Sequence, residues 1–168
     1  MKRSALKSIA ALLVASTLLF AFTIKPEKAN FSGEWKLNEG KSDLGQFGQF
    51  ATRSIKAEQK ADAIVISRTA PGFDGGDQVS TETLTFDGKV SESTVFGTSK
   101  RKATAKWSAD EQKLTSDYTI MLEFDGQANE IKGSEEWALS DGGKTLTITG
   151  KSTSSFGDAT TKTVYDKK

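Results

Sequence analysis

From Phe31 onward, apolar side chains recur at every second position, the period of a strand with one buried face rather than that of a helix. Phe31-Gly33-Trp35-Leu37 is the first such run. Ile64-Val65-Ile66 lies in a second, and a third begins near Val79 and ends at Leu84 and Phe86. Ala103-Ala105-Trp107 alternates with Thr104 and Lys106. Leu114-Ser116-Tyr118-Ile120-Leu122, Ile131-Gly133-Glu135-Trp137 and Leu146-Ile148-Gly150 follow, and Val164 marks a last short strand. The candidate strands are rich in β-branched and aromatic residues, as half-buried strands require.

The runs are separated by compact turn signals: Asp87-Gly88, Asp125-Gly126, Asp141-Gly142-Gly143 and the polar cluster Ala109-Asp110-Glu111-Gln112. Asp-Gly supplies the positive φ of a tight hairpin. Short connections make neighbours in sequence neighbours in the sheet, which is a meander. The pattern therefore predicts an all-β domain over residues 31–168, an antiparallel up-and-down barrel of about 8–10 strands, since closure removes exposed edges. The main irregular stretch, Asn38 to Phe50, reads as a loop or one short helix.

The beginning of the chain has a different pattern. Lys2, Arg3 and Lys7 precede an apolar run from Ile9 to Phe22, about 14 residues, where a helical membrane span needs about 20. This is the arrangement of a secretory signal. The expectation is a signal peptide over 1–21, cleaved after Ala21, a polar leader over 22–30, and an exported protein, periplasmic or extracellular, with no membrane span in its mature part.

Composition then narrows the chemistry. The chain has neither histidine nor cysteine. Triads built on either residue, thiolate and imidazole metal sites, haem ligation by them, and disulfides are all excluded. Carboxylate, lysine, tyrosine and serine chemistry remains, and an enzyme is the least favoured class. With 23 basic and 22 acidic residues, the net charge of +1 gives no reason to expect nucleic acid. In the cluster Lys100-Arg101-Lys102, alternation sends Arg101 to the face of Ala103, Ala105 and Trp107 and the lysines to the other, solvated face. Glu135 falls on the face of Ile131 and Trp137, whereas Glu136 points away, so these adjacent carboxylates cannot share a site. Asp74 and Asp77, among glycines, lack the spacing of a calcium loop, and Gly40-Lys41-Ser42 lacks the upstream glycine of a phosphate loop. No metal and no cofactor is expected.

Asn30-Phe31-Ser32-Gly33-Glu34-Trp35-Lys36-Leu37 resembles the first strand of the lipocalin and fatty-acid-binding-protein (calycin) superfamily, as a divergent bacterial secreted member. The resemblance implies that Trp35 plugs the closed end of a barrel and that Gly33 lets the chain pass close to its neighbours. In classical lipocalins a late arginine packs on that tryptophan. No arginine follows Arg101 here, and Lys151 or Lys162 is the expected substitute. Fatty-acid-binding proteins end with Arg-x-Tyr, a carboxylate clamp. Tyr165 is preceded at that spacing by Thr163, which speaks against that mechanism.

The resulting expectation is a non-catalytic protein that holds a small apolar molecule within the barrel. The alternative is a structural or protein-interaction module of the cell envelope with a filled core. Candidate ligand contacts are Phe47 and Phe50, on a flap over Leu44 to Phe50 at the open rim, and Ser116, Tyr118, Gly133 and Glu135 on inward strand positions. The oligomeric state is left open.

Overall fold

The computed structural model of the chain describes residues 27–168 apart from 73, 125 and 126. The signal segment over 1–21, most of the polar leader and the Asp125-Gly126 turn lie outside the described residues. Ten strands follow one another: β1 (Gly33–Leu37), β2 (Ser54–Gln59), β3 (Ala63–Pro71), β4 (Asp77–Thr85), β5 (Ser91–Val95), β6 (Ser99–Trp107), β7 (Lys113–Phe124), β8 (Gln127–Ser140), β9 (Thr145–Ser154) and β10 (Gly157–Lys167). They form one antiparallel sheet in the order β4-β3-β2-β1-β10-β9-β8-β7-β6-β5. Sequence neighbours pair except β4 and β5, which stand at the two ends of the sheet order, and β1 joins β10 to roll the meander into a nearly closed barrel.

Two strands go beyond the alternating runs read from the sequence. β2 carries only Ile55 and Ala57 on its buried face, and β5 is mostly serine and threonine with Glu92. β10 is longer than the short strand expected around Val164, because its Thr-rich first half pairs with β9 along its whole length. Asn38 to Phe50 holds two single 3₁₀ turns, Glu39–Lys41 and Gly48–Phe50. The turn at Asp141, Gly142 and Gly143 takes φ values of 52°, 66° and 82°, the left-handed conformations that this hairpin demands.

The core is not spread evenly along the barrel. It fills the end where the chain enters β1, around the fully buried Phe31, Trp35, Trp137, Leu114 and Leu146. Phe31 stacks on Trp107 with ring centroids 5.7 Å apart and meets Trp137 edge-on at 5.8 Å. The Trp35 indole N–H donates to the Phe31 carbonyl at 3.0 Å, so this buried donor is satisfied, whereas Trp107 Nε1 is buried without a hydrogen-bond partner. The cation over Trp35 is Lys167, whose Nζ lies 5.1 Å from the ring centroid, rather than Lys151 or Lys162. β1 and β10 set Trp35 directly opposite Lys167, and the lysine stem passes over Gly33, where a Cβ would stand 2.7 Å from its Cε. Gly33 also takes φ 142°, a backbone conformation that favours glycine.

Residues 27–30 pack against the same closed end. The Ala29 N–H donates to the Glu111 carbonyl, Gln59 Nε2 donates to the Ala29 carbonyl, and Lys28 Nζ sits 4.3 Å above the Trp107 ring. No helix among the described residues is long and apolar enough to cross a membrane.

Candidate functional site

Above the aromatic plug the barrel interior turns polar. In β3 the inward positions run Ile64, Ile66, Arg68, and in β4 they run Leu84, Glu82. β6 brings Arg101 inward with Ala103 and Ala105, and β8 brings Glu135 inward with Trp137. Four strands therefore each place one charge at a position whose parity is that of the core. The four charges meet. Glu82 accepts from Arg68 and, through Oε2, from Arg101 Nε at 3.0 Å. Arg68 Nη2 reaches across to Glu135 Oε2 at 2.8 Å, and the Trp137 indole N–H also donates to that oxygen, at 3.3 Å. Arg101 Nη2 stands 3.9 Å from Glu135 Oε1 without a hydrogen bond, and its guanidinium lies 4.0 Å over the Tyr118 ring.

Two guanidiniums and two carboxylates cancel, which is how charges this deeply buried remain ionised. Burial alone would raise the Glu135 carboxyl, but Arg68, Arg101 and the Trp137 N–H together hold it below the usual carboxylate range. Burial lowers the Arg68 guanidinium, an effect that Glu135 opposes. Burial also raises the Tyr118 phenol and pushes Tyr165 up to about 12, the latter donating to the Thr52 carbonyl at 3.1 Å. One polar atom in the network is unmatched: Arg101 Nη2 is buried with no hydrogen-bond partner.

Between this network and the open rim lies a cavity of about 790 Å³, open to solvent, with Arg68, Arg101, Tyr118 and Glu135 at its floor and Phe50, Pro71, Val95 and Phe96 among its upper walls. A lobe of about 240 Å³ shares Phe50, Arg68, Tyr118 and Glu135 and extends under Leu44 and Phe47 to Gly150 and Tyr165. Above the charge-balanced floor the walls mix these apolar side chains with Thr52, Gln78, Ser80, Thr81 and Thr94, a lining that can hold a molecule with an apolar body and a polar end.

This architecture has a solved counterpart. The crystal structure of zebrafish ileal bile acid-binding protein complexed with cholic acid superimposes with a TM-score of 0.53, covering 82% of this chain and 98% of that one at 18% identity. The fold is a lipocalin-like barrel. At that level of identity the likeness concerns the fold. No protein-family model matches the sequence, and no curated protein does.

Within this lipocalin-like barrel, the residues singled out from the sequence fall into three groups. Phe50, Tyr118 and Glu135 line both the cavity and its lobe, and Phe47 lines the lobe while remaining 40% exposed. Gly133 lies opposite Tyr118, and the room it leaves is taken by that side chain: a Cβ there would be 2.5 Å from the phenol oxygen. Ser116 is only 2% exposed and sits among the packed residues beside Glu135, its hydroxyl without a partner. Arg68 and Glu82 went unremarked in the sequence. The signal was present, because each stands two residues from an apolar residue of its own inward face, Ile66 and Leu84.

Proposed function

We propose that this protein binds a small amphipathic molecule in the open half of its barrel and does not transform it. The observation that carries the reading is the cavity of about 790 Å³ set over a buried, neutral Arg–Glu network. Its size falls in the range of about 300 to 1,000 Å³ typical of small-molecule sites. A guest that is apolar throughout would strand the guanidinium and carboxylate groups at the floor, so a polar end is part of the proposal. Catalysis is disfavoured by the same groups. A carboxylate held low by two guanidiniums is a weak base, and a carboxyl acid at neutral pH would need the opposite shift. The apolar run from Ile9 to Phe22 supports a further proposal, that the protein works after export.

Titration with Nile red, an uncharged dye that brightens in apolar surroundings, tests the binding reading. Saturable uptake at one dye per chain is expected, with loss on addition of a competing amphiphile. Absence of saturable uptake would remove this reading and leave the structural or protein-interaction module of the cell envelope. N-terminal sequencing of the protein recovered from its producing cells tests export, with a start near residue 22 expected.

A further inference from the structure

The floor of the cavity specifies which polar end it accepts, an inference that rests on the small-molecule reading above. Arg101 is 4% exposed, lines the cavity, and keeps Nη2 without a hydrogen-bond partner. Its Nε is already committed to Glu82. Glu135 Oε1 is 3.9 Å from that same Nη2 and accepts no side-chain hydrogen bond among the described residues, since Arg68 and Trp137 both bond Oε2. Two residues that line the cavity thus hold, 3.9 Å apart, a buried donor and an acceptor that make no hydrogen bond, to each other or to another side chain among the described residues.

We infer that the guest is an uncharged amphipathic alcohol, whose hydroxyl oxygen accepts from Arg101 Nη2 and whose hydroxyl proton is donated to Glu135 Oε1. A hydroxyl is the small group that satisfies both atoms at once, being donor and acceptor together. A carboxylate satisfies only one of them. It brings a third negative charge to a site where two carboxylates already balance two guanidiniums, and it sets that charge beside Glu135 Oε1 in surroundings of low dielectric. An ester or ether accepts from Arg101 and leaves Glu135 unanswered. The expected order of affinity is therefore alcohol, then methyl ether, then carboxylate.

Displacement of Nile red by 1-decanol, decyl methyl ether and decanoate at pH 7.5, each below its aggregation concentration, measures this order on one apolar body. In the wild type, 1-decanol is expected to displace the dye at least tenfold more effectively than decanoate, with the ether between. Glu135→Gln removes the competing charge at nearly constant volume, and is expected to raise decanoate relative to 1-decanol at least tenfold. Decanoate equal to or tighter than 1-decanol in the wild type overturns the inference while leaving the binding reading intact. So does an unchanged ratio in a folded Glu135→Gln protein. Failure of the dye itself to bind removes both. The wild-type comparison needs no variant, so misfolding of Glu135→Gln does not protect the inference.

Discussion

Trp35 shows how one side chain can define an end of the molecule. It is fully buried, its N–H is bonded to the Phe31 carbonyl, and the neighbouring rings of Phe31, Trp107 and Trp137 leave little freedom to collapse into the space it fills. Trp35→Ala is expected to cost about 3 to 5 kcal/mol, the range for truncating a large buried aromatic. Urea melts measure it, and a loss under about 1 kcal/mol would show the tryptophan to be peripheral. This residue and Gly33 were legible in the sequence because a local motif, Gly-x-Trp, carries them. The cation over the ring was not assigned correctly. Its place depends on the β1–β10 register, and Lys167 enters that register only because β10 extends as far as Lys167. Glu135 and Arg101 could be placed inward by parity, but parity cannot say that Arg68 and Glu82 arrive at the same point. That requires strands far apart in sequence to close on one another.

Among the elements, the seam between β4 and β5 is the place where the barrel depends on side chains. These strands stand at the two ends of the sheet order, and no ladder joins them among the described residues. Glu82 on β4 instead bonds Arg101 on β6 and Arg68 on β3, forming an ionic latch beneath the gap. Removing its charge leaves two buried guanidiniums sharing Glu135, so Glu82→Gln is expected to cost about 3 to 5 kcal/mol. The exposed pair Lys113–Glu136 provides the contrast, with Glu136→Gln changing stability by under about 1 kcal/mol. Hydrogen exchange distinguishes a latch from general destabilisation. In Glu82→Gln, amides of β3 and β4 should accelerate well beyond those of β8 and β9; uniform acceleration would mean that Glu82 acts only on global stability. Across the mouth, Leu44, Phe47 and Phe50 lie over the smaller lobe, in the segment that the sequence marked as glycine-rich and irregular. Phe47→Ser combined with Phe50→Ser is expected to weaken Nile red uptake at least tenfold while stability stays within about 1 kcal/mol. Lost stability would make these rings part of the core instead of a cover.

For the molecule as a whole, the absence of histidine and cysteine gives a distinctive dependence on pH. No side chain of ordinary pKa titrates between about pH 5.5 and 8, and both shifted tyrosines move upward, away from that window. Stability should be flat there. Below it, the Glu135 carboxyl decides the sign. Its folded value is depressed from the ordinary 4.5, so the unfolded chain binds a proton first as acid is added, and stability falls as pH drops below about 4.5. Asp87, Asp110 and Asp166 are depressed as well, by hydrogen bonds at exposed turns and strand ends, and they act in the same direction under strong solvent screening. The interior network should therefore dominate, because protonating Glu135 leaves Arg68 and Arg101 a single carboxylate between them. Urea midpoints measured from pH 3.5 to 8 should show a plateau above about pH 5.5 and a decline below about 4.5. Glu135→Gln should start lower on the plateau and decline less steeply with acid. An identical acid limb in the variant would assign the loss to the surface carboxylates and remove the buried network from the pH response.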